Sequence, residues 1–190
     1  MTKLIEVENK RELKNVEKFR EILRKNGFVK EYKTREIDTY FSRPDVDFMK
    51  TVECLRIREK KEFCELTYKP ASSVANSTGG TIAKHETNVP ISRNDVPVLI
   101  ELLANLDMKK LAVVDKTRAA FVSRKFPGLT VAIDDLAGVG FFVETEVLSE
   151  NEKSAREILA AAEKLLGVEN FVKVKLPYRD LVMIATGEIK

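Results

Sequence analysis

The feature that most constrains this chain is alternation. Over one strand-length stretch after another, a charged residue recurs at every second position with apolar residues between. Side chains on a strand point to opposite faces in turn, so each such stretch has a charged face and an apolar one. LIEVENKREL, at 4–13, sets Glu6, Glu8 and Lys10 on one face and Ile5, Val7 and Asn9 on the other. The same reading applies to Glu36–Phe41, Thr51–Lys61, Phe63–Lys69, Thr81–Pro90, Ala112–Arg124, Leu129–Asp135 and Phe141–Leu148. Their charged faces carry Arg56, Arg58 and Lys60; Glu65, Thr67 and Lys69; Lys84, Glu86 and Asn88; Lys116 and Arg118; Asp134; and Glu144 and Glu146. A further short strand is expected near Val182–Thr186.

Three segments break the alternation with helical spacing. The first carries Leu13, Val16, Phe19, Ile22 and Leu23 and stops at Gly27. The second spans Asn94–Leu106 with Val96, Leu99, Ile100 and Leu103. The third runs from Glu152 to Leu166, capped by Ser149 or Asn151 and ended by Gly167. A half-wet antiparallel sheet explains any one strand. Three amphipathic helices, however, need an apolar surface to pack on, and about eight strands suffice to close a barrel. The expected fold is therefore α+β: a closed eight-stranded antiparallel β-barrel, a tunnel, with helices outside and the charged faces inside.

Desolvating so many ions without compensation costs several kcal/mol each. The interior must stay wet or hold matching charge. Arginines and lysines in number suit a polyanion, and paired glutamates suit a hard cation such as Mg²⁺ or Mn²⁺. A triphosphate with divalent metal meets both demands: Glu6 and Glu8 would hold metal, and Lys10 phosphate.

At 190 residues the chain is expected to be one domain, 1–190. Charged residues are 33% of it, yet the net charge is only +3, which does not by itself argue for nucleic acid. Cys54 and Cys64 lack metal-like spacing and read as inert reduced thiols. No apolar leader precedes the first charges and no stretch reaches membrane-span length, which points to the cytoplasm. PASSVANSTGGT, at 70–81, reads as a hairpin loop. His85 lies opposite Lys84 and Glu86 by parity and reads as structural or exposed. Tyr40 and Phe41 read as packing residues. Lys60, Glu65 and Lys84 are divided between tunnel and solvent.

These residues resemble those of the CYTH superfamily, the triphosphate tunnel metalloenzymes: class IV adenylyl cyclases, thiamine triphosphatases, inorganic tripolyphosphatases and RNA triphosphatases. EVENK stands where that family has Glu-x-Glu-x-Lys. DTYF (38–41), LRIR (55–58), LTYKP (66–70), KTR (116–118) and AIDDLAGVGFFVETE (132–146) follow in order. DTYF, LRIR and GVGFFVETE look most like the cyclase branch. The resemblance implies metal ligands Glu6, Glu8, Asp134, Glu144 and Glu146 around two ions of Mg²⁺ or Mn²⁺. It implies a triphosphate grip by Lys10, Arg56, Arg58, Lys69, Lys116 and Arg118, with Glu6, Glu8, Lys10 and Arg118 catalytic. The implied reaction is ATP to cyclic AMP and pyrophosphate, or hydrolysis of thiamine triphosphate or tripolyphosphate. A homodimer is in keeping with the cyclase branch. Asn88, two along from Glu86, departs from the family's middle acidic strand. Pro177-Tyr178 stands where the family reads Ser-Tyr, near Lys173 and Lys175.

Overall fold

The alternating segments do form strands, and the strands form one sheet. The structure is a computed structural model that describes residues 5–71, 82–84 and 86–189. In chain order the strands are β1 (Ile5–Glu12), β2 (Val29–Ser42), β3 (Cys54–Lys60), β4 (Cys64–Lys69), β5 (Ile82–Lys84), β6 (Thr87–Ile91), β7 (Lys109–Val122), β8 (Leu129–Leu136) and β9 (Gly140–Ser149). The helices are α1 (Val16–Lys25), α2 (Phe48–Thr51), α3 (Val96–Asn105), α4 (Glu152–Leu166) and α5 (Tyr178–Ala185). The nine strands pair antiparallel in the order β5-β1-β9-β8-β7-β2-β3-β4-β6.

The expected closed eight-stranded barrel is corrected to an open sheet curled into a half-barrel. The reason lies in the segment expected as one strand from Thr81 to Pro90. It is described as two strands, one ending at Lys84 and the other starting at Thr87. Its first part, β5, pairs with β1, while its second part, β6, pairs with β4. The two outermost strands of the sheet are thus neighbours in the chain. Curling is visible in a contact across the sheet: Lys69 Nζ on β4 lies 3.7 Å from a Glu6 carboxylate oxygen on β1.

α1, α3 and α4 cover the convex side. Phe19 and Leu23 of α1 and Ala155, Leu159, Ala162 and Leu166 of α4 pack on Val7, Ala119, Phe121, Val131, Val143 and Val147, the apolar faces of β1, β7, β8 and β9. Burying one such aliphatic or aromatic side chain contributes about 1.5–3 kcal/mol, so this layer holds the charged faces on the concave side. Val96 and Leu103 of α3 pack on Phe41, Ile57 and Cys64. Asn151 caps α4, accepting from the Ser154 N–H at 3.0 Å, and Gly167 ends it at φ 68°, a conformation glycine adopts without steric cost.

A buried ion pair ties α4 to β1. Arg11 donates to Glu163 at 2.8 Å and to the carbonyls of Glu169 and Phe171 at 3.3 and 3.1 Å, and Thr145 donates to Glu163 at 2.8 Å. Beside it the Val174 N–H donates to the Lys10 carbonyl, and the Glu12 N–H to the Val172 carbonyl, both at 2.9 Å. The chain then turns at Pro177 into α5. This helix replaces the strand expected near Val182–Thr186. Tyr178, Leu181 and Val182, at helical spacing, pack with Tyr40, Val114, Leu136 and Phe142, which fill one end of the concave face. A short apolar run carries no period of its own, and this cluster selects the helix. Thr51, expected in a strand, ends α2, and β2 starts at Val29 rather than Glu36. The expectations for 72–81 and for His85 lie outside the described residues.

Candidate active site

The register of β1 against β9 sets opposite each other the residues whose parity marked them in the sequence. Glu8 faces Glu146 and Lys10 faces Glu144. Glu6, Glu8 and Glu146 bring carboxylate oxygens within 4.8 Å of one another. Burial, with repulsion from Glu8 and Glu146, pushes the Glu6 carboxyl up to about 10 against the pull of Lys69. Glu146 is raised by burial too, with Glu8 and Glu144 adding to it. Such crowding of hard oxygen donors is what a divalent cation relieves, so the residues present fit Mg²⁺ or Mn²⁺.

The opposite wall is basic, and each cation is fixed by an acid set behind it. Arg58 donates both guanidinium arms to Asp38 at 2.6 Å, and Arg56 lies 3.6 Å from the same carboxylate. Glu36, wholly buried, lies 2.8 Å from Lys60, 3.3 Å from Lys116 and 3.5 Å from Arg58. These are charge contacts, none aligned as a hydrogen bond. Arg118 donates to both oxygens of Asp134, at 2.8 and 2.6 Å, and also to Glu144. Tyr178 donates to Asp134 at 2.8 Å, and its ring carries Lys10 Nζ at 4.1 Å and Lys116 Nζ at 4.9 Å. Bidentate arginine–carboxylate pairs hold a planar donor fork in one orientation, which is what phosphate recognition needs. Arg56 Nε is buried without a hydrogen-bond partner.

Most of these groups line one cavity of about 310 Å³, with Glu36, Asp38 and Asp134 behind its wall. Of the residues expected in the site, Glu6, Glu8, Lys10, Arg56, Arg58, Lys69, Lys116, Arg118, Glu144 and Glu146 line it. Asp134 lies just behind, fully buried under Arg118 and Tyr178. Asp134 and Glu144 are engaged by Arg118, apart from the three-carboxylate group. Lys60 and Glu65 also face the cavity, as does Glu86, which contacts Lys69, while Asn88 is exposed. Lys175 lines the rim. Asp135 points outward, and the side chain of Lys84 lies outside the description. Cys54 faces the cavity, its thiol pushed up by burial; Cys64 is buried under α3, and both are free. Tyr40 belongs to the apolar end of the cavity and Phe41 to the core under α3. The sequence reading noted Tyr178 only by its place against the family's Ser-Tyr, and missed Tyr32, Glu36, Asp38, Glu53 and Arg179 as parts of these surroundings. Parity along β2 could have found the first three; nothing periodic marks the last two.

Burial alone would raise the Glu36 carboxyl, but Lys116, Arg58, Arg118 and Lys60 outweigh it and hold it at about 2. Asp38 faces the same opposition and is held far below the carboxylate range by Arg58 and Arg56. Depressed carboxyl values stabilise the fold above the unfolded-state value and lose that contribution as pH falls through the folded value. The melting temperature should therefore drop steeply between about pH 4.5 and 2, and Glu36→Gln should remove part of that dependence. A melting curve flat across that range would contradict the pairing described.

Residues 4–175 match the family described as the CYTH domain. A protein of Methanocaldococcus jannaschii named "putative adenylate cyclase" is 27% identical over 90% of this chain and 95% of its own. A solved structure from Pyrococcus horikoshii OT3 is 29% identical, covers 94% of this chain and 98% of its own, and superposes with a TM-score of 0.77. A Vibrio parahaemolyticus structure, also named a putative adenylate cyclase, is 18% identical, covers 94% of this chain and 97% of its own, and has a TM-score of 0.74, a likeness of fold. No helix among the described residues is long and apolar enough to cross a membrane.

Proposed function

Because the chain belongs to the CYTH domain family, we propose that it is a metal-dependent adenylyl cyclase, converting ATP to cyclic AMP and pyrophosphate. One observation carries the reading. A cavity walled by Lys10, Arg56, Arg58, Lys69, Lys116 and Arg118 also contains three crowded carboxylates, and a triphosphate with its metal supplies the charge that both lack. The choice of ATP among triphosphates is supported by the name of the M. jannaschii relative.

Glu6, Glu8 and Glu146 would hold the metal, Mg²⁺ or Mn²⁺. When bound it supplies Lewis-acid polarisation of phosphate oxygens and lowers the pKa of the attacking hydroxyl. In the reaction the ribose 3′-oxygen bonds to the α-phosphorus as the bond to the β-phosphate bridging oxygen breaks. The hydroxyl proton leaves to solvent and pyrophosphate departs. Arg56 and Arg58, backed by Asp38, would hold the triphosphate in line. Lys10, Lys116 and Arg118 would neutralise the charge that gathers on the leaving group. Asp134, with Tyr178, fixes the plane of Arg118, and Glu144 shares that arginine in the substrate-free state.

The test is to incubate the chain with ATP, tripolyphosphate or thiamine triphosphate and Mg²⁺ or Mn²⁺, then resolve the products. Cyclic AMP with pyrophosphate is expected. Orthophosphate alone would replace the cyclase with a hydrolase, and no turnover of any of them would sink the enzymatic reading. Arg56→Ala should raise KM about 10–100-fold, the loss of one charge-assisted phosphate contact of roughly 1.5–3 kcal/mol. An unchanged KM and rate would remove Arg56 from the site.

A further inference from the structure

The outer face of β2 is left partly open beside α1. A groove of about 590 Å³ lies there, and none of its lining residues belongs to the active-site cavity. Its floor is apolar: Phe28, Ala119 and Phe121 are 4%, 4% and 8% exposed, and Val29 beside them is 64% exposed. Its rim is cationic. Arg20 and Arg24, four residues and so about one turn apart, come from α1, and Lys30 and Lys33 come from β2. No described acid lines it.

A bulge brings the two lysines together. Residues three apart on a regular strand point to opposite faces. The register of β2 against β7 slips by one residue between Lys30 and Tyr32, so Lys30 stands opposite Phe121 and Lys33 opposite Ala119, on one outer face. The whole chain nets only +3, so four cations around one apolar floor are a local concentration of charge, not a share of a generally basic surface. Arg20 pairs with Glu17 at 2.6 Å, while Arg24, Lys30 and Lys33 have no ion-pair partner among the described residues.

Recess and charge together define the partner. The apolar groups lie low and the exposed cations stand around them, so what binds must present a protruding apolar group flanked by negative charge. A membrane needs the reverse, apolar side chains that protrude into it. Nucleic acid needs a longer basic track, or open aromatic faces on which bases stack. Both rings of this floor are buried, and past Lys33 the next hollow sets Glu59 and Glu62 among its cations, with Arg35 already paired to Asp115 at 2.6 Å. A short acidic peptide with one large apolar side chain meets each condition.

We propose that this groove is a docking site for an acidic segment of another protein, whose apolar anchor seats on Phe28, Ala119 and Phe121 while its carboxylates meet Arg24, Lys30 and Lys33. The proposal does not rest on the reaction assigned to the cavity.

Fluorescence anisotropy on the full chain tests it, with a fluorescein-labelled peptide of glutamate and serine around one central phenylalanine as the probe. A dissociation constant of about 10–100 μM is expected at low salt, rising as salt is added. Replacing the peptide's phenylalanine by serine should weaken binding about tenfold. Lys30→Glu combined with Lys33→Glu, both at exposed positions, should leave the circular dichroism spectrum unchanged and weaken the peptide about tenfold or more. Labelled oligouridylate, and vesicles of phosphatidylserine and phosphatidylcholine, should bind more weakly than the peptide. No binding by about 1 mM peptide would overturn the proposal. So would binding that the double charge reversal leaves unaltered, which would put the peptide elsewhere on the chain, or binding indifferent to the phenylalanine, which would leave charge attraction alone. Oligouridylate or vesicles held more tightly than the peptide, and released by the same reversal, would replace the acidic segment with a nucleic acid or a membrane.

Discussion

Glu8→Gln is expected to lower turnover at least about 10²–10³-fold while the chain still folds. Glu8 forms the three-carboxylate group with Glu6 and Glu146. The amide keeps the shape of the side chain and removes its charge. A metal ion contributes several kcal/mol of transition-state charge stabilisation, and about 1.4 kcal/mol is a tenfold change in rate. The stability readout separates this loss from misfolding. Glu8 is one of the neighbours that push the Glu6 carboxyl up, so removing its charge relieves repulsion. In chelator the variant should melt at or above the wild-type temperature. The wild type should gain stability on adding Mg²⁺, by about 2.7 kcal/mol at a hundredfold excess over the dissociation constant, and the variant should gain far less. Near-normal turnover, or an equal Mg²⁺ response, would mean that these carboxylates do not hold the metal.

The largest loss of stability should follow Asp38→Ala. Asp38 is 1% exposed and takes both arms of Arg58, with Arg56 close by. Its removal takes away the acid that Arg56 contacts and leaves Arg58 only the more distant Glu36, at 3.5 Å. Removing one partner of a buried ion pair costs about 3–5 kcal/mol, most of it the uncompensated charge that remains. For a chain of this size that is a fall of roughly 6–20 °C in melting temperature. Asp38→Ala combined with Arg58→Met should recover much of the loss, because the desolvated charge goes with its partner. Urea unfolding of the single and double variants measures this directly. A single-variant loss below about 1 kcal/mol would show that the pair is well hydrated rather than buried.

Parity along the strands made most of the cavity wall legible in the sequence. Glu6, Glu8, Lys10, Arg56, Arg58, Lys69, Lys116, Arg118, Glu144 and Glu146 are inward because the pleat forces alternate residues to one face, and the helices claim the other. The supporting acids were harder to see. Glu36 and Asp38 obey the same parity, but their part is to orient cations on neighbouring strands, and that needs the register of β2 against β3 and β7. Tyr178 was marked only by the family resemblance, and Arg179 by nothing. They reach the cavity from a helix whose path is set by Arg11, Glu163 and the backbone bonds beside Lys10, contacts more than a hundred residues apart in sequence. The open edge was equally hidden. A continuous alternating segment gives no sign that its halves pair with different strands.

That break has a mechanical consequence. The β1–β5 ladder is held by Glu6, Val7 and Glu8 against Lys84, Ala83 and Ile82, whereas β2 and β7 zip together along nearly their whole length. Lys69 spans the place where the two outermost strands come together like a clasp, reaching Glu6 on one side and Glu86 on the other. Amide protons of Ile82–Lys84, on an outermost strand of the sheet, are expected to exchange with solvent before those of β7 to β9.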